Sequence, residues 1–168
     1  MKKLILMITT FLLLFTISGC GGSTIEGYDG LIEKARKEIS LADIENMDIQ
    51  IAGTTDVDGY SLVWFVTGNE YQKHSYFPME FQIVGENSNK FKFVKAYMAR
   101  DRGQDIAAYP WNGYTFVINN QDCLKMVLTY EDGTTEEFEI TDSLPTVRST
   151  SITPKSYAFF DVYGNEIR

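Results

Sequence analysis

The chain has 168 residues, of which 44% are hydrophobic and 14% aromatic, with a formal net charge of −8 at pH 7. That is enough apolar material for one packed domain and excludes the low-hydrophobicity composition of a disordered chain. With 23 acidic against 15 basic side chains, the balance argues against nucleic acid as a partner, because phosphates demand a basic surface, and against anionic lipid held by a polybasic patch.

Lys2 and Lys3 open the chain, Leu4 to Ile17 form an apolar run, and Ser18 and Gly19 precede Cys20. A positive start, a short apolar stretch and small residues before the cut are the pattern of a secretory signal. The run is shorter than the roughly 20 apolar residues of a spanning helix. Its end, Ile17 Ser18 Gly19 Cys20, resembles the lipobox of bacterial lipoproteins. That resemblance implies a signal peptide over residues 1–19 that is removed, a diacylglyceryl group on the Cys20 sulfur, and a protein anchored on the extracytoplasmic face of the cell membrane. Acylation by two chains gives stable attachment where one chain holds only marginally. Residues 20–27, containing Gly21 Gly22 Ser23 Thr24, read as a short lipidated tether, and residues 28–168 as a single domain.

Without Lys2 and Lys3 the chain keeps 13 basic side chains against 23 acidic ones, a net charge of −10. If Cys20 is acylated, Cys123 is the one remaining thiol and no intrachain disulfide can form. Cys123 reads either as a nucleophile or as a small buried residue at the start of a strand, and burial is the commoner state of a free cysteine.

Along the mature chain, Tyr28, Leu31, Ile32, Ala35 and Ile39 share one face at helical spacing. Asp29 is a candidate N-cap and Glu33 with Lys37 an i,i+4 pair. This helix is expected to pack on a sheet, the alternative being a helix lying on a membrane surface. From Met47 to Ile51 the period changes to two, as in a half-buried strand. Asp58 and Gly59 read as a hairpin turn leading into a continuously apolar strand, Tyr60 to Thr67. Met79 to Val84 and Lys90 to Met98 read as a hairpin across residues 85–89, and Ile106 to Tyr109 as a short strand. Gly113 to Asn119, Leu124 to Tyr130 and Thr134 to Thr141 read as a meander whose last turn, Asp132 Gly133, suits positive φ. Asp142 to Ser156 reads as a loop, followed by a strand from Tyr157 to Tyr163 and a short tail. The expected fold is mainly β: an antiparallel β-sandwich, immunoglobulin-like, with one N-terminal helix.

Catalytic patterns are scarce. His74 is the single histidine, and no HExxH, CxxC, GxSxG or phosphate-binding glycine loop occurs. One histidine and two cysteines do not assemble a typical zinc site, and the acidic start at Asp56 and Asp58 fails the calcium-loop spacing, with Tyr60 and Thr67 at ligand positions. No catalytic residue, metal or cofactor is assigned. Glu70, Glu80, Asp101, Asp105 and Glu137 supply carboxylates for a hydrolase, but no pair stands out by sequence.

Aromatic residues in connecting segments carry the binding expectation: Tyr71, His74, Tyr76 and Phe77 in one loop, and Tyr109, Trp111 and Tyr114 around another. Ring faces with a polar handle suit sugars, peptides and protein partners, and Arg100 and Arg102 add hydrogen-bonding forks. The candidate ligand-binding residues are therefore Tyr71, His74, Tyr76, Arg102, Tyr109 and Trp111. The expected function is a membrane-anchored, non-catalytic lipoprotein that binds a cell-wall glycan, a peptide or a membrane-protein partner. Its rivals are a cell-wall hydrolase using acidic residues and an accessory subunit of a membrane complex, the latter exposing an apolar patch along Tyr28, Leu31, Ala35 and Ile39.

Overall fold

A computed structural model describes residues 23–68, 74–85, 89–100, 103–141 and 143–167. Among the described residues the chain is mainly β with a single α-helix, and every strand pairing is antiparallel. The first sheet contains β1 (Ile25–Glu26), β2 (Ile49–Val57), β3 (Tyr60–Thr67), β4 (Ser75–Ile83) and β5 (Lys90–Ala96), in the order β1-β5-β4-β3-β2. The second contains β6 (Ile106–Tyr109), β7 (Tyr114–Ile118) and β10 (Thr146–Thr150), ordered β10-β7-β6. The third is ordered β12-β11-β8-β9, from β8 (Lys125–Thr129), β9 (Thr135–Glu139), β11 (Ser156–Phe160) and β12 (Glu166–Ile167).

Helix α1 (Gly27–Glu38) forms where the 3.6-residue pattern lies. It buries Leu31, Ala35 and, just past its end, Ile39, against Ile49, Val63, Phe65, Phe77, Met79 and Phe81 of the first sheet. The patch once assignable to a partner is thus consumed by the core, except for Tyr28, which remains 63% exposed. The N-cap is Glu26 rather than Asp29, without a side-chain capping bond, and Asp29 sits in the first turn, where the helix dipole favours a negative charge. The i,i+4 ion pair in the folded helix is Lys34 with Glu38. Among the described residues, no helix is long and apolar enough to cross a membrane.

Side-chain alternation arranges the sheets. In β3, Val63 and Phe65 face the helix, while Leu62, Trp64 and Val66 enter a second core with Ala107, Trp111 and Val117. Strand β7 repeats the device, sending Val117 into this second core and Phe116 and Ile118 into a third with Met126, Leu128 and Phe159. The order of layers is therefore helix, first sheet, second sheet, third sheet: sandwich packing with one sheet more than a simple pair. A strand buried on both faces reads as an unbroken apolar run, which is why Tyr60 to Thr67 is legible at both ends.

Several boundaries differ from the sequence reading. Tyr76 and Phe77, expected in a loop, lie in β4, which starts four residues before Met79. The hydrogen-bonded ladder to β3 extends from Thr67↔Ser75 to Tyr60↔Gln82, so pairing overrides the irregular look of Ser75 to Pro78. The expected loop from Asp142 to Ser156 contains β10, whose polar sequence hides a strand paired with β7 along its whole length. Short strands also occupy Ile25–Glu26, inside the segment read as tether, and Glu166–Ile167 in the expected tail.

The first two sheets close on each other at Gly53. A bulge separates Ile51 from Gly53, and a Cβ placed on Gly53 would lie 2.7 Å from Val147 Cγ2 of β10. The absence of a side chain there sets how closely β10 can cross β2.

Candidate functional site

The side of the second core between β4 and the β6–β7 loop gathers most of the described aromatic candidates. Tyr76 and Glu80 project from the same face of β4, four residues apart. After β5 the chain continues antiparallel alongside β4: Tyr97 N–H donates to the Pro78 carbonyl at 3.0 Å and Arg100 N–H to the Tyr76 carbonyl at 2.7 Å. These bonds lay the segment Tyr97 to Arg100 beside Tyr109. The loop after β6 is fixed by left-handed Asn112 and Gly113; a Cβ on Gly113 would fall 2.0 Å from the Thr150 carbonyl oxygen. Only glycine permits that approach, and the turn carries Trp111 into the core.

Two carboxylates organise this surface. Glu80 accepts hydrogen bonds from the Tyr97 hydroxyl and, at 3.3 Å, from Trp111 Nε1, with Lys95 Nζ 3.7 Å away. Lys95 Nζ also lies 4.7 Å from the centre of the Tyr97 ring. The Tyr97 and Tyr109 rings are 4.7 Å apart, and the Arg100 guanidinium stands 5.0 Å from the Tyr109 ring centre, distances suited to ring and cation–π attraction. Burial, and then the bond to Glu80, push the Tyr97 phenol well above the ordinary tyrosine range, so it stays protonated and keeps donating. At the other end, Asp105 Oδ1 lies 2.9 Å from His74 Nδ1 and accepts from the Tyr76 hydroxyl at 3.3 Å. Asp105 is reached through Gly103 and Gln104, and all three have positive φ, a conformation that costs non-glycine residues of order 1–3 kcal/mol each.

The candidates divide by role. His74, Tyr76, Tyr109 and Trp111 come to this one side, whereas Tyr71, Arg102 and Cys20 lie outside the described residues. Tyr76 is fully buried and Trp111 nearly so; they support the surface rather than offer ring faces to a ligand. The outward-facing part is made by half-buried Tyr97 and Tyr109, by Arg100 and Lys95, and by Met98, which is 82% exposed. Sequence reasoning named Arg100 but missed Tyr97 and Met98, because it reads them as the end of the strand Lys90 to Met98, whereas β5 ends at Ala96.

The remaining chemistry-bearing residues are placed elsewhere. Glu137 is on β9 and pairs with Lys125 at 3.3 Å, while Glu70 and Asp101 fall outside the described residues. Cys123 is buried in the third core, and burial raises its thiol pKa, which leaves it in the protonated, poorly nucleophilic form. Asp58 and Gly59, with φ of 50° and 79°, make the β2–β3 turn, as the hairpin reading predicts. Among the described residues, no group of three or more His, Cys, Asp or Glu side chains is arranged to hold a metal ion. A separate cleft of about 240 Å³ between β6 and β11–β12, lined by Gln104, Ile106, Phe159, Glu166 and Ile167, contains none of the candidates.

No family model, curated protein or solved structure matches this chain.

Proposed function

We propose that this chain is a lipid-anchored, extracytoplasmic lipoprotein whose domain binds a ligand or partner at the cell envelope without catalysing a reaction. The observation that carries the reading is the N-terminal pattern, Lys2 and Lys3, the apolar run and Ile17 Ser18 Gly19 Cys20, which supplies both an export signal and a site for acylation. The binding half is supported by the surface of Tyr97, Met98, Arg100 and Tyr109. Its polar supports are already engaged, with Glu80 drawing on Tyr97, Trp111 and Lys95, and this saturation favours recognition over proton transfer.

Two measurements on cells making the full chain test the halves separately. Incorporation of labelled fatty acid is expected in the wild type and absent in Cys20→Ala; equal labelling of the two removes the anchor. A photo-crosslinking amino acid at Met98 is expected to give a discrete adduct in intact cells that disappears when Arg100 and Tyr109 are both changed to Ala. A lipid-labelled protein that gives no adduct, or one indifferent to those changes, removes this surface as the binding site.

A further inference from the structure

The first described strand leads directly to an exposed aromatic residue. Ile25 starts β1, and four residues, Gly21 to Thr24, lie between Cys20 and Ile25, so the two are at most about 18 Å apart along the extended chain. Three residues later Tyr28 stands 63% exposed on the first turn of α1. Its ring borders a shallow hollow of about 360 Å³ lined by Ile32, Ile51, Gly53 and Thr54, with no charged side chain in the lining. Tyrosine is favoured at membrane–water interfaces, where the ring meets the acyl boundary and the hydroxyl the headgroups. A weak contact suffices when the partner is already held by a short tether, because association then becomes intramolecular.

We propose that the Tyr28 hollow lies on the lipid surface and that the third sheet is held away from it, an orientation that rests on the lipoprotein reading. The β8–β9 hairpin exposes Glu131, Asp132, Glu136, Glu137 and Glu139, but Glu26, Asp29 and Glu33 are exposed beside Tyr28 as well, so an anionic leaflet repels both sides and the tether and the uncharged hollow carry the direction. Sheets stack about 10 Å apart, so this hairpin belongs to a layer roughly 30 Å from the helix. The hollow meets the bilayer through apolar and aromatic contact, and its docking is independent of anionic lipid.

The full acylated chain, reconstituted in phosphatidylcholine vesicles containing a lipid quencher attached to the acyl chain, provides the test. A fluorophore is placed on Thr54→Cys, beside the hollow, or on Tyr163→Cys, which lies beyond β11 at a residue 86% exposed; buried Cys123 is shielded from the label. Quenching at position 54 is expected to exceed that at 163 at least threefold and to fall to the level of 163 on adding Tyr28→Ser. Equal quenching at both positions in a chain that carries lipid and floats with the vesicles overturns the orientation while leaving the anchor intact. Quenching at 54 that ignores Tyr28→Ser overturns the docking role of the ring. If the wild-type chain made in cells carries no lipid on Cys20 and fails to float, the anchor reading falls, and this orientation with it. Should Tyr28→Ser fail to fold, the comparison of 54 with 163 decides alone.

Discussion

Strand β3 of the first sheet is buried without a break from Ser61 to Thr67, whereas β8 of the third sheet is buried only at Met126 and Leu128. The first sheet lies between the helix and the second sheet, so both faces of its central strand meet apolar side chains. The third sheet uses one face and leaves Glu137 and Glu139 on strand β9 exposed. Their turns differ in the same sense. The β2–β3 turn uses positive φ at Asp58 and Gly59, and the outer hairpins use it at Gly133 and Gly164 but add carboxylates: Asp132 accepts from the Thr134 N–H and hydroxyl, and Asp161 from the N–H groups of Tyr163 and Asn165. Stability in the inner layers is a matter of packing. In the outer layer, local polar bonds that answer to pH take a larger share.

Trp64 gives this contrast its largest test. It is fully buried between the first two sheets, and its Nε1 donates to Thr115 Oγ1 at 2.7 Å, so Trp64→Ala both opens a cavity and leaves a buried hydroxyl without its partner. The expected loss is about 3–5 kcal/mol. Phe138, half-buried on β9, should lose less than about 2 kcal/mol on change to Ala, because much of its site is already open to solvent. Denaturant unfolding of the two variants measures the difference, and equal losses would end the distinction between two-sided and one-sided sheets.

A smaller effect probes the seam. Gly53→Ala puts a methyl group against Val147 Cγ2, and overpacking of this kind costs about 1–3 kcal/mol. Val147→Ala in the same chain removes the nearest opposing atom, Cγ2, and leaves Cβ at 3.0 Å. The double variant should recover part of the loss, with a coupling above roughly 0.5 kcal/mol; strict additivity in thermal unfolding would show that the two strands do not constrain each other there.

The legibility of the sequence follows the same division. Strand β3 and β6 are readable to the residue, and α1 nearly so, because continuous or helically spaced apolar residues report burial directly. Strand β10, Thr146 Val147 Arg148 Ser149 Thr150, is unreadable: it lies at the edge of the second sheet and is specified by pairing with β7 rather than by its own pattern. The candidate surface is half legible for a related reason. His74, Tyr109 and Trp111 announce themselves by chemistry, but the meeting of Glu80 with Tyr97 and Trp111 and of Asp105 with His74 and Tyr76 depends on tertiary contacts that residue spacing does not encode.

The smallest effects separate the regions by pH. Burial, then the Glu80 bond, raise the Tyr97 phenol. A raised pKa contributes stability that is fully present below the ordinary tyrosine value of about 10 and is lost as pH climbs from there through the folded value. Wild type should therefore exceed Tyr97→Phe in thermal unfolding at pH 8, and the gap should narrow above about pH 10. The hairpin carboxylates work in the other direction: the Thr134 hydroxyl, then its amide, lower Asp132, and the Asn165 side chain, then its amide, lower Asp161. Their contribution is present above the ordinary carboxylate value of about 3.9 and is lost as pH falls through the folded value. The amide resonances of Thr134 and Asn165 should titrate with midpoints below that ordinary value. Because both aspartates are exposed at turn tips, this change is expected to remain local, loosening the two hairpins of the third sheet while β3 and its neighbours keep their packing. Midpoints at or above the ordinary value, or a gap that stays constant through pH 11, would mean that the polar bonds drawn for these groups do not bias their protons.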